Sequence, residues 1–247
     1  MSSPSASSPR DASPSDASPS DSSPSDSSPG DSTPPVTARH APVLDLSRCA
    51  LLLCDMQNGF LHPDGCYARG GASSPRFAPI IPRLRELALA MRDAGGLVMA
   101  TQFTLVPGRG GEPLIADHLK SLRPFLRKGD FAPGSFDQQV IEALQPVDIG
   151  VEKVGYSAFY MSRLDYVLRK CGIDTLIAGG VVTNGGVAST VRDAHTHGYH
   201  TLVLGDGCAA YREEVHAATL ADLGYLTEVV SCAQALDRIR TQARRVP

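Results

Sequence analysis

The sequence lacks most of the marks that would place it outside the ordinary globular class. No apolar run approaches the roughly 18–20 residues that span a bilayer, which excludes a transmembrane helix. The first residues carry no apolar h-region, so no secretory signal is expected. No triplet or heptad pattern supports a collagen or a coiled coil. The six cysteines (Cys49, Cys54, Cys66, Cys171, Cys208 and Cys232) form no CxxC pair and no disulfide framework. They read as structural thiols in a reducing cytoplasm. No GxGxxG follows the first strand and there is no P-loop, which argues against dinucleotide and P-loop nucleotide binding. The histidines (His62, His118, His195, His197, His200 and His216 among them) share no metal-ligand spacing, so neither a metal nor a cofactor is expected.

What is present is 247 residues with 42% hydrophobic and 20% charged side chains, enough to bury one substantial core. The net charge of −3 sits in the first forty residues, where Arg10 and Arg39 face Asp11, Asp16, Asp21, Asp26 and Asp31. The remaining 207 positions hold 21 basic and 21 acidic residues and are neutral. A neutral body has no global field for nucleic acid or an anionic membrane, and neither partner is expected.

Residues 1–42 read as a disordered tail. A Ser-Pro-Ser-Asp unit recurs every five residues from Ser13, and proline at that spacing prevents a helix or a strand ladder. Few apolar side chains are there to offset ordering entropy. The body, residues 43–247, alternates regularly. Ala50–Cys54, Leu97–Ala100, Ile149–Val151, Thr175–Ala178, Thr201–Leu204 and Leu226–Val230 read as short buried strands. Between and after them lie helical patterns over Ile80–Ala94, Tyr160–Cys171, Asn184–His197, Glu213–Leu223 and Ala233–Arg244. This alternation specifies a three-layer α/β/α sandwich around an open, mainly parallel six-stranded sheet. Residues 107–133 read as a long Pro/Gly-rich loop with a short helix, a length usually tied to function.

In such sheets chemistry gathers beyond the carboxyl ends of the strands. Asp55 follows the first strand, Lys153 the third, and Thr183-Asn184-Gly185-Gly186 the fourth, leading into a helix. Taken alone, each has an ordinary explanation: a turn carboxylate, a solvated lysine, close packing at a helix start. Together they fall where one site belongs. Thr183 or Asn184 is expected as N-cap, with the N–H groups of Gly185 and Gly186 open to an anion or oxyanion.

The segments Cys54-Asp55-Met56-Gln57-Asn58-Gly59-Phe60, Lys153-Val154-Gly155-Tyr156-Ser157-Ala158-Phe159 and Gly180-Val181-Val182-Thr183-Asn184 resemble the isochorismatase-like hydrolase superfamily, also called the cysteine hydrolases. The resemblance spans about residues 43–240. It implies an Asp–Lys–Cys triad for amide hydrolysis, with Asp55 as base and Lys153 as its charge partner. The cysteine position is Gly186, which offers no thiolate and no acyl-enzyme. The vinyl-ether-cleaving isochorismatases carry glycine there, and their chemistry needs a proton on the aspartate instead. That resemblance implies substrate contacts at Gln102 and Arg109, whereas the Thr183-Asn184 pair is the amidase pattern. Tyr156, Phe159, Val182, Thr183, Asn184 and Gly185 are expected around the substrate, although Tyr156 and Phe159 fit a core role equally well. Three readings stand: vinyl ether hydrolysis by Asp55 acid/base chemistry without a covalent intermediate; hydrolysis of an amide-like C–N bond by directly activated water; and a silent ligand-binding module. The expected partner is a small-molecule substrate, and the resemblance implies a homo-oligomer.

Overall fold

The computed structural model of the chain describes residues 44–244. The tail expected over 1–42 lies outside the described residues. β1 (Cys49–Cys54) is buried along its whole length, as a continuous apolar run with both faces covered requires. It pairs in parallel with β2 (Leu97–Phe103) on one side and β4 (Thr175–Val181) on the other. β3 (Ile149–Lys153), β5 (His200–Ala209) and β6 (Glu228–Val230) complete a six-stranded sheet in the order β3-β2-β1-β4-β5-β6, all ladders parallel.

The two-residue period of the strands divides the core. Leu51, Leu53, Val98, Ala100 and Ile177 face α3 (Ile80–Asp93) and α8 (Cys232–Ala243). Ala50, Leu52, Met99, Leu176 and Val203 face α5 (Leu164–Lys170) and α6 (Ala188–Thr196), with α7 (Glu213–Leu223) adding Leu223. On α3 the buried stripe is Leu84, Leu87, Ala88 and Met91, at helical spacing. Leu89 is off that stripe and nearly half exposed. α8 starts at Ser231, whose hydroxyl accepts the Gln234 N–H while the Gln234 side chain accepts the Ser231 N–H.

The differences from the sequence expectation concentrate at the carboxyl ends of the strands. β2 runs on through Thr101, Gln102 and Phe103, and β4 through Gly179, Gly180 and Val181. Polar residues and glycines end an apolar pattern, yet here the ladders hold them: Gln102 pairs with Glu152 and Gly180 with Cys54. Gly180 has φ +132°, and a Cβ there would stand 2.1 Å from the Cys54 carbonyl oxygen, so only glycine fits. α5 begins at Leu164 rather than Tyr160 because Met161 takes a left-handed φ of +48°. Thr183–Val187 forms one wide π-type turn before α6, and no side chain caps it. The expected Thr183 or Asn184 cap is therefore absent. The Thr183 hydroxyl instead bonds His216 Nδ1 at 2.8 Å. Two short helices that the pattern did not show, α1 (Asn58–Leu61) and α2 (Cys66–Arg69), follow β1. The only regular helix in the 107–133 loop is α4 (Asp117–Ser121).

Candidate active site

The strand order reverses between β1 and β4, and their following loops leave in opposite directions there. Asp55, the first residue after β1, has a left-handed φ of +51°, which aspartate tolerates better than most residues. Its N–H is accepted by the Thr101 hydroxyl on β2 at 3.1 Å, and that hydroxyl donates to Asp55 Oδ1 at 2.6 Å. Lys153, at the end of β3, donates to Asp55 Oδ2 at 2.8 Å and to the Gly155 carbonyl at 2.8 Å. Asp55 is 5% exposed and Lys153 2%. Both groups are thus taken out of water and paired with each other.

Gly186 stands against this pair. A Cβ on it would lie 3.0 Å from Asp55 Oδ2 and 3.7 Å from Lys153 Nζ. This is the position where the resemblance places a sulfur. No other thiol substitutes for it. Burial, and the nearby Asp55 carboxylate, push the Cys54 thiol well up. Burial pushes Cys208 up to about 12, and its sulfur points to the Ala178 carbonyl. The Gly185 N–H is taken by the Val182 carbonyl, so it is not open to an anion as expected.

A cavity of about 410 Å³ opens above Asp55, Lys153 and Gly186. Val182 and Tyr156 line it, and Tyr156 also packs where a Gly185 side chain would grow. The other expected contacts fall elsewhere. Gln102 turns aside to donate to the Gln138 carbonyl, its oxygen tucked over Gly150. Arg109 is exposed on the loop and Asn184 on the turn, neither of them on the cavity wall. Phe159 stacks on His197 at 4.9 Å and packs into the second core. Thr183 is fully buried in the turn.

Several residues escaped sequence reasoning. Thr101, which holds Asp55, lies where the apolar pattern of β2 fails. Gln57 donates to the carbonyls of Phe103 and Gln138 and accepts the Phe103 N–H, fastening the loop after β1 to the end of β2. Arg123, Phe125 and Tyr67 line the cavity from the long loop and α2. The length of the loop signalled that it mattered, but nothing marked which of its residues turn inward.

The chain is similar to known proteins over most of its described body. Residues 49–235 match the model of the Isochorismatase domain. The chain is 34% identical over 216 residues to the ureidoacrylate amidohydrolase RutB of Methylobacterium radiotolerans, covering 81% of this chain and 84% of that protein. It is 33% identical to the RutB of Methylorubrum extorquens, covering 85% and 91%. A cysteine hydrolase from Pseudomonas syringae pv. phaseolicola 1448A superposes with a TM-score of 0.71 at 27% identity, covering 81% and 96% of the two chains. With this sheet order and a match over most of the body, the chain belongs to the isochorismatase-domain family and is one of its hydrolases.

Proposed function

We propose that the protein hydrolyses an amide-like C–N bond of a small acyl or carbamoyl compound, with water in place of a protein nucleophile. The observation that carries this reading is the direction of the hydrogen bonds on Asp55. Lys153, a donor with no acceptor, bonds Oδ2, the oxygen that faces Gly186, and the Thr101 hydroxyl bonds Oδ1. The oxygen turned toward the empty position at Gly186 is the one held by the ammonium group. Asp55 is arranged as an acceptor, the part a base plays toward water. The similarity to ureidoacrylate amidohydrolases supports the same bond class.

In this mechanism water sits beside Gly186, within reach of Asp55 Oδ2. Asp55 takes one proton as the water oxygen bonds to the carbonyl carbon. The proton then passes to the nitrogen of the tetrahedral adduct, the C–N bond breaks, and amine or ammonia departs. The acid product stays behind and Asp55 is a carboxylate again. Lys153 holds that carboxylate in place and offsets its charge. No covalent intermediate forms, because Gly186 has no side chain to carry one.

The same bare Gly186 favours a second reading, vinyl ether cleavage, in which Asp55 delivers a proton to carbon. That reading requires Asp55 to reverse the role its hydrogen bonds give it. One experiment separates the two. Purified protein is offered ureido acids, primary amides and cyclic imides with ammonia or acid release followed, and isochorismate with pyruvate release followed. C–N cleavage that disappears in Asp55→Asn, with no acyl adduct by intact-mass spectrometry during turnover, supports the proposal. Pyruvate release with an inert C–N panel overturns it in favour of the vinyl ether.

A further inference from the structure

The cavity holds two cations, Lys153 and Arg123, and only one of them has a counter-charge. Lys153 is paired with Asp55. Arg123 donates through Nε to the Tyr67 hydroxyl at 2.9 Å and weakly through Nη2 to the Tyr156 hydroxyl at 3.4 Å. Its electrostatic neighbours are those two phenols and that of Tyr211, with no carboxylate among the described residues. Burial pushes the Tyr67 phenol above its usual 10, so it stays neutral at physiological pH. A guanidinium has five N–H donors in a planar fork, so at least the Nη1 pair remains for another acceptor.

The wall around it is apolar. Phe60, Tyr67, Phe103, Phe125, Tyr156 and Tyr211 surround the space, with leucines from the 107–133 loop closing it. At about 410 Å³ the cavity matches sites for drug-sized ligands, about 300–1,000 Å³, more than a short-chain acid fills.

Resting on the hydrolase reading of this cavity, we infer that its substrate class is a monocarboxylate with an aromatic body, the carboxylate gripped by Arg123 and the ring packed among the six aromatic side chains. One guanidinium matches one planar carboxylate bidentately. A phosphate dianion would keep half its charge uncompensated, since Lys153 is already committed. Arg123 then determines specificity by binding, at a distance from the bond that breaks. An N-carbamoyl or N-acyl amino acid with an aryl side chain is the kind of compound described.

The test uses the full chain and ligands with no scissile bond, so failed binding and failed turnover are separate results. Calorimetry compares 3-phenylpropanoate, 3-phenylpropanol and propanoate. The aryl acid is expected to bind at least about tenfold tighter than either, the scale of a charge-assisted hydrogen bond or a buried ring. In Arg123→Gln the aryl acid falls to the level of the alcohol, whose own affinity stays within about twofold. Arg123→Lys keeps a reduced preference for the acid, because a point charge replaces the fork. Three results overturn the inference. Equal binding of acid and alcohol to the native protein removes the anion site. Equal binding of propanoate and phenylpropanoate removes the aromatic body. Parallel loss of acid and alcohol in Arg123→Gln makes Arg123 a mere strap between the loop and α2.

Discussion

At the scale of single residues, the proposed chemistry rests on a buried ion pair and a bare glycine. Asp55 and Lys153 are each nearly inaccessible, so removing one leaves an unmatched buried charge. Lys153→Met is expected to lower stability by about 3–5 kcal/mol in urea unfolding and to abolish turnover. Asp55→Asn should cut turnover by about 10²–10⁴-fold, the usual reach of a general base. Adding Lys153→Met to Asp55→Asn should restore much of the stability lost in either single variant while activity stays absent. If the double variant is no more stable than the singles, the pair is not the charge couple described. Gly186→Cys puts a Cβ 3.0 Å from Asp55 Oδ2, a contact the carboxylate can relieve by a few tenths of an ångström. The variant should gain a covalent acyl adduct visible by mass spectrometry and become sensitive to iodoacetamide. The native protein, with buried thiols pushed upward, should keep its activity under that reagent.

At the scale of elements, the glycine between β4 and β1 and the acidic cluster behind α2 set the frame of the site. Gly180→Ala forces a methyl into the Cys54 carbonyl one residue from Asp55. The expected cost is about 2–3 kcal/mol in chemical unfolding, with activity lost out of proportion because the end of β1 must shift. Behind the cavity, Asp137 accepts the Cys66 N–H that starts α2, and Arg69 of α2 pairs with Asp130 at 2.6 Å. Burial, and then the neighbouring Asp130, lift the Asp137 carboxyl above its ordinary 3.8 despite the Cys66 N–H and Arg69. A carboxyl raised by folding contributes stability fully below its ordinary value, and the contribution is lost as pH rises through the raised one. The stability of the native protein relative to Asp137→Asn should therefore shrink from pH 3 toward pH 6 in urea titrations; a difference that grows would reverse the sign argued here. These elements also mark where the sequence stops being readable. Strands and long helices announce themselves through apolar period, because burial on a face repeats with the backbone. The ends of β2 and β4 do not, since Thr101, Gln102 and Gly180 are held by ladder partners far along the chain. The turn before α6 is wide, uncapped and mostly buried, and no local cap signal marks it.

At the scale of the whole molecule, Asp55, Lys153 and Gly186 were legible because a parallel sheet brings all strand ends to one edge, so three distant segments share one site. Arg123 and the aromatic wall were not, because their direction depends on how residues 107–133 fold back over that edge. Arg109 carries the same charge in the same loop and faces solvent, so composition could not choose between them. The same contrast separates local from global electrostatics. Residues 41–247 hold 21 basic and 21 acidic groups, leaving no net field to draw an anion from solution. Recognition by Arg123 acts only on contact, within a half-buried space. For an anionic substrate, kcat/KM should therefore fall less than threefold between about 0.05 and 0.5 M salt, where the Debye length shrinks from roughly 14 to 4 Å. A field-steered enzyme loses tenfold or more over that span. A steep dependence on salt would place the recognition on the surface charges of the molecule and away from Arg123, and Arg123→Gln would then leave the slope of the salt titration unchanged.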